Sequence, residues 1–196
     1  VVDDKGILWQ GAYGTTVREG DKAVTPRTIF SIQSMSKSFT ALTVLAAVQE
    51  GKLDLDAPIV KYLPDFQVNS RYEKAPTAKM TLRHLLAHRA GFTHEAPLGS
   101  NFDDRPHAFQ EHIRSISDTW LRYPVGYRYS YSNLGIDLAG YIVEKAYGTP
   151  FHRVVKEKIL DPLGMASSTL DIDAILKSDH RAAGHAFPIR QVDGGI

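Results

Sequence analysis

The spacing of hydrophobic and polar positions changes period along this chain. Val1-Val2, Asp3-Asp4-Lys5-Gly6 and Ile7-Leu8-Trp9-Gln10-Gly11-Ala12-Tyr13-Gly14 place two β-prone runs about a turn-rich tetrad, the pattern of a hairpin. Thr25-Pro26-Arg27-Thr28 is a turn leading into a short β-prone run, Ile29-Phe30-Ser31-Ile32. From Ser36 to Glu50 the period becomes helical: Phe39, Leu42, Thr43, Leu45, Ala46 and Val48 form a broad apolar face, and Gly51 is the stop. A short helix is expected after Asp54, with Asp56 as N-cap and Pro64 as its end. Residues 67–80 read as an exposed loop, and Thr81 as the cap of a helix from Leu82 to His88 that stops before Gly91. Residues 93–106 read as a long loop and His107 to Trp120 as a helix. Leu134 to Tyr147 is amphipathic, with Leu134, Ile136, Leu138, Ile142 and Val143 on or near one face and Gly148 after its end. Thr149 and Pro150 predict an N-cap and first helical residue for a further helix to Leu160.

This order predicts an α+β or α/β architecture, runs of strands with a large helical region inserted. The expected divisions are 1–51 (strand hairpin and first long helix), 52–179 (mainly helical) and 180–196 (a return to the sheet). No internal repeat or low-complexity linker interrupts it.

Composition narrows the function. The 196 residues are 43% hydrophobic and 23% charged, with a formal net charge of +1, which supplies no concentrated basic face for nucleic acid or a membrane surface. The absence of cysteine removes disulfides, a thiolate nucleophile and Cys-based zinc sites, and leaves the compartment open. No apolar run reaches the ~18–20 residues of a membrane span. The abrupt start at Val1-Val2-Asp3 reads as the end of one strand, with the expectation that a preceding segment has been removed.

Two short clusters carry candidate chemistry. Ser34-Met35-Ser36-Lys37 opens the first long helix, and residues three apart share a helical face, so Ser34 and Lys37 can exchange a proton. A serine hydroxyl needs a base beside it to become a nucleophile, and a lysine amine can serve. At a helix N-terminus the Ser34 N–H can face a developing oxyanion. The ordinary structural alternative is a capping serine, for which Ser31 and Ser36 also compete, with a solvated lysine. Tyr131-Ser132-Asn133 follows the turn-rich Pro124-Val125-Gly126 segment and precedes a helix. A phenol near cations can carry a proton, and an amide can bond both an ammonium and a carbonyl. The alternative is a rim aromatic and an N-cap asparagine.

Taken together, the segments resemble a known family. Thr28 to Ala41 looks like the nucleophile segment of class C β-lactamases and penicillin-binding proteins. Gly51 to Pro58 with Tyr62-Leu63-Pro64, Thr81 to Phe92, Pro124-Val125-Gly126 with Tyr131-Ser132-Asn133-Leu134-Gly135, and Asp161-Pro162-Leu163-Gly164-Met165 resemble further signatures of that superfamily, in its order. The superfamily includes D-Ala-D-Ala carboxypeptidases and β-lactamase-like esterases. The resemblance implies a β-lactamase/transpeptidase-like α+β fold with an antiparallel sheet, and a serine hydrolase that forms an acyl-enzyme on Ser34. Lys37 and Tyr131 would manage the proton and Asn133 would orient Lys37 and the substrate amide. It implies no cofactor or metal, and as partner a small-molecule or peptide substrate with a carbonyl centre. Export to the periplasm would be compatible with it.

The family's third box, Lys-Thr-Gly or His-x-Gly, has no convincing copy: His88-Arg89-Ala90-Gly91 lies in another signature and Gly184-His185-Ala186 has the wrong order. The expectation is that the chain stops before that box and holds only one of two oxyanion donors. Ala90 stands where relatives often have serine. His84 and His88, four apart, could face a metal, but the Glu of a zincin and a third ligand are missing; the expectation is a helix with one histidine buried and one exposed. Asp103-Asp104 reads as a solvated loop or cap, and Gly11-Ala12-Tyr13-Gly14 lacks a phosphate-loop pattern. A binding or regulatory module that has lost catalysis is the rival from another class; retention of Ser34, Lys37, Tyr131 and Asn133 together argues against it.

Overall fold

The computed structural model describes residues 1–101, 103, 105 and 107–184. Its contacts divide into two compact units, Val1–Gln33 with the segment from Asp171, and Ser34–Leu170. The sequence places its divisions after 51 and 179 instead; the difference is the first long helix, whose inner face packs within the second unit.

In the first unit β1 (Val2–Asp3) pairs antiparallel with β2 (Gly6–Ile7), Val2 opposite Ile7 and Asp3 opposite Gly6. Asp3 Oδ1 accepts the N–H groups of Lys5 at 2.8 Å and Gly6 at 3.0 Å, closing the turn. The second strand is shorter than expected. The N–H groups of Leu8 and Trp9 both turn back to the Val1 carbonyl, which ends the ladder. Thr15 bridges Ala23, and Ile29 pairs in parallel with Arg181, its N–H donating to the His180 carbonyl at 2.7 Å. At the expected return of the chain, Arg181 makes this one isolated parallel bridge, with the Ala182 N–H donating to the Ile29 carbonyl at 2.9 Å; His185 and Ala186 lie outside the described residues. Asp171 Oδ1 caps a short helix near the end, accepting from Asp173 and Ala174.

The second unit holds the core. Here α1 (Ser36–Gln49) buries Val44 and Ala47 against α4 (Asn133–Tyr147), whose Leu134, Leu138 and Ile142 are fully enclosed. Each such side chain is worth ~1.5–3 kcal/mol of transfer free energy, which fixes the two helices together. Between them in sequence come α2 (Leu82–Leu86), capped by Thr81 Oγ1 on the His84 N–H as expected, and α3 (Phe109–Ile116). Gly148 ends α4 in the left-handed conformation, φ +63°, which a Cβ would strain.

Several local expectations give way to packing. No α-helix follows Asp56; a single 3-10 turn spans Ile59–Lys61, and Asp56 instead forms a bidentate pair with Arg83 at 2.6 and 2.7 Å. The stretch 67–80 is not simply exposed, because Val68, Pro76, Thr77 and Met80 are buried. The helix after α4 runs as α5 (Phe151–Val155) and then a π-type turn, Lys156–Leu160, with Pro150 as its N-cap rather than its first residue. Glu144 Oε2 accepts the Phe151 N–H at 2.9 Å, a cap supplied by the preceding helix. Among the described residues no helix is long and apolar enough to cross a membrane.

Candidate active site

The hydroxyl of Ser34 is the meeting point. Ser34 lies in a 3-10 turn, Gln33–Met35, that runs directly into α1. Gln33 is left-handed, φ +50°, an uncommon conformation for a residue with a Cβ. Ser31 Oγ accepts the Gln33 N–H at 3.3 Å in a local turn, and α1 has no side-chain cap, so neither Ser31 nor Ser36 nor Ser34 serves as one. Lys37, one turn further and half-buried, donates from Nζ to Ser34 Oγ at 3.1 Å. Tyr131 Oη donates to the same oxygen at 2.8 Å across 97 residues of sequence. The Lys37 ammonium also lies 5.0 Å from the centre of the Tyr131 ring. Lys37, and after it the bond to Ser34, hold the Tyr131 phenol below the ordinary phenol range; burial and the Glu95 charge oppose this without cancelling it.

Tyr131 sits in the extended segment before α4, and its neighbours in sequence are tied down on both sides. The Ser130 N–H donates to the His88 carbonyl at 2.8 Å and the Ser132 N–H to His88 Nδ1 at 3.2 Å. Ser132 Oγ donates to the Thr93 carbonyl at 2.5 Å. The His88 ring stacks on the Tyr131 ring at 4.5 Å between centroids, and the His94 ring lies at 5.4 Å. A tight turn brings the segment here. Gly91 has φ +85°, and a Cβ on it would meet the Tyr123 carbonyl oxygen at 2.2 Å, so only glycine allows the two loops to pass.

Asn133 is the first residue of α4, not its cap; Ser132 holds that place. The expected bond from Lys37 to Asn133 is not formed. Asn133 Nδ2 donates to Glu95 Oε1 at 2.6 Å, and Asn133 Oδ1, the atom that could accept from an ammonium, is buried without a partner. Glu95 Oε1 also accepts from Asn101 Nδ2 at 2.9 Å and lies 2.9 Å from His94 Nδ1. The structure thus brings Ser34, Lys37 and Tyr131 into direct contact and places Asn133 one step away, in a polar cluster.

His88, His94, Glu95 and Asn101 were not legible as site residues. The signature around Thr81 to Phe92 marks the segment, but only the fold shows that it backs residue 131. The histidine pair does not share a helical face, because α2 stops at Leu86 and His88 is left-handed, φ +54°. Both are half-buried, rather than one in and one out. Thr81 Oγ1 meets His84 Nδ1 at 3.1 Å, which gives His84 a structural partner. Asp103, expected to be solvated, has its side chain 10% exposed and binds Arg105 and His107 at 2.8 and 2.7 Å; Asp104 lies outside the described residues.

A serine where a long helix begins, a lysine one turn on and a tyrosine from a distant loop thus meet at one oxygen. Over residues 1–192 the sequence matches the protein-family model described as Beta-lactamase, and the chain belongs to the β-lactamase family. Among curated proteins it is similar to esterase EstB of Burkholderia gladioli, 29% identical over 204 residues that take in 96% of this chain and 50% of the esterase. Among solved structures it is similar to the octameric penicillin-binding protein homologue from Pyrococcus abyssi, with a TM-score of 0.77 and 30% identity over 93% of this chain and 42% of that one. It is also similar to D-amino acid amidase from Ochrobactrum anthropi SV3 complexed with L-phenylalanine amide, with a TM-score of 0.71 and 28% identity over 93% of this chain and 50% of the amidase. The chain spans half or less of the length of these relatives.

Proposed function

We propose that the protein is a serine hydrolase that forms an acyl-enzyme on Ser34, acting on a β-lactam or a D-amino-acid amide or peptide bond. One observation carries this reading: Ser34 Oγ accepts hydrogen bonds from Lys37 Nζ and Tyr131 Oη at once. With the phenol depressed by the adjacent ammonium, Tyr131 in its ionised form takes the Ser34 proton while Lys37 remains the counter-charge. The Oγ–carbon bond forms, the carbonyl oxygen becomes an oxyanion facing the Ser34 N–H, and the scissile bond breaks as Tyr131 returns the proton to the leaving group. Water then attacks the ester and gives its proton to the same phenolate, which passes it to Ser34 Oγ as the acyl–oxygen bond breaks and the carboxylic acid leaves. Asn133 has the positioning part, with Oδ1 as the remaining acceptor for the Lys37 ammonium or a substrate N–H.

The similarity to an esterase favours a second reading, carboxyl ester hydrolysis by the same residues. A substrate panel on the full protein separates the two: nitrocefin, a D-Ala-D-Ala peptide, D-amino acid amides and p-nitrophenyl esters of increasing chain length. Ser34→Ala should remove turnover of whichever is accepted, together with labelling by a fluorophosphonate. Undiminished turnover in that variant excludes Ser34 from the reaction. Failure of the intact protein to react with any of these probes leaves the catalytically silent binding module as the better account.

A further inference from the structure

His88 takes no part in the proton path just described, yet it meets residues 130–132 by three separate contacts. Its carbonyl accepts from Ser130, its Nδ1 accepts from Ser132, and its ring lies against the ring of Tyr131 with an interplanar angle of 27°. The edge of Tyr129 meets it at 5.8 Å. His88 is left-handed as the residue that ends α2: its N–H donates to the Leu85 carbonyl at 3.1 Å and the Arg89 N–H to the His84 carbonyl at 2.8 Å, a Schellman turn that fixes the backbone from which the ring reaches residues 130–132. The Ser132 N–H is a donor, so it can be accepted only while Nδ1 is bare; the ring must be neutral with its proton on Nε2. The charged groups near it agree. From α1, the Lys37 ammonium lies over the neighbouring Tyr131 ring, and Lys37 opposes protonation of His88, second to burial. Its neighbour Arg89 is occupied by the Gly126 carbonyl at 2.6 Å, and the Glu95 carboxylate on the far segment is taken up by Asn133, Asn101 and His94.

We propose that neutral His88 is the positioning residue for Tyr131, and that its protonation releases the Ser132 N–H, displaces the phenol from Ser34 and switches the reaction off at acid pH. The proposal rests on the hydrolase reading for its effect on turnover, but not for its effect on the position of Tyr131. A displacement of the reacting group by ~1 Å costs ~10²-fold in rate. The charge that arrives on His88 also stands next to Lys37, so the two effects act in the same direction.

The test combines pH–rate profiles with NMR of the full protein. In the wild type, the imidazole nitrogen shifts of His88 should report the Nε2–H tautomer, and the Tyr131 ring carbon signals should move with the midpoint of His88. Below the limb set by the Tyr131 phenol, kcat should fall with a second proton, at the His88 midpoint. His88→Asn keeps an acceptor, tolerates the left-handed backbone and does not titrate; it should lose that second limb and keep the Tyr131 one, while KM stays within ~3-fold. His88→Phe keeps the ring contact but not the acceptor, and kcat should fall by ~10²-fold at every pH. An Nδ1–H tautomer, a Tyr131 signal indifferent to His88, or a second-proton limb that persists in His88→Asn overturns the proposal. The wild-type NMR decides the matter even if both variants fold poorly. A protein that turns over nothing, while Tyr131 still follows His88, defeats the hydrolase reading and supports the positioning one.

Discussion

At the scale of single residues, the proposed chemistry depends on one oxygen with two donors, and the donors are not equivalent. Tyr131 is the group whose acidity is tuned, and Lys37 does the tuning. Replacing Lys37 with Met should therefore leave Tyr131 in place but return its phenol towards its ordinary value of ~10, moving the midpoint at which kcat/KM rises to higher pH. Tyr131→Phe should lower kcat by ~10²–10⁴-fold and leave no limb attributable to a phenol. Both are read from pH–rate profiles on the substrate that the panel identifies. An unchanged midpoint in Lys37→Met would assign the proton to another group. Much of this was legible in the sequence because Ser34 and Lys37 are one helical turn apart, and periodicity alone places them together. Tyr131 could be joined to them only through the order of the signatures, since no spacing rule spans 97 residues. Glu95 and His88 stayed hidden for the same reason: each acts through a contact that exists only after folding, at a position whose residue type has many commoner uses.

At the scale of elements, helices were legible where the apolar period was long and the ends were marked, as in α1 with Gly51 and α4 with Gly148. They were not where a partner outside the segment decided the conformation. Asp56 was expected to cap a helix, but Arg83 offers it a bidentate fork, and the chain makes a single tight turn instead. The joining of α3 to α4 shows how such a partner sets pH behaviour. His112 donates towards the Leu98 carbonyl at 2.8 Å and Asp137 Oδ2 at 3.1 Å. Burial alone would lower His112, but Asp137 and the Leu98 carbonyl, with help from the Glu95 charge, outweigh it and raise the imidazole above its usual value. A raised folded value means that the contribution to stability is complete below the unfolded value of ~6.5 and is lost as pH rises through the folded one. The melting temperature should therefore decline across that interval, and Asp137→Asn should flatten the decline. A slope of the same size in the variant would show that another group sets it.

At the scale of the whole molecule, burial is uneven. The large core belongs to Ser34–Leu170, whereas among the described residues of the other unit only Thr16 is buried, and Val1, Ile7, Trp9 and Tyr13 are open to solvent. A pair of two-residue strands cannot hold itself together against the entropy of its chain. Native-state hydrogen exchange should therefore show α4 as the slowest element, opening only with global unfolding, and the amides of residues 1–33 exchanging with little protection. Protection of β1 and β2 equal to that of α4 would contradict this account. The same unevenness touches α1. Its inner residues are enclosed, but Met35, Leu42 and Leu45 lie along its outer side, exposed by 69%, 46% and 46%. The helix that follows Ser34 is thus oily on two sides, one of them wet. A purified sample should therefore clump as its concentration rises, and a charge introduced at position 42, two turns from the Ser34 hydroxyl, should reduce the light scattering that reports it.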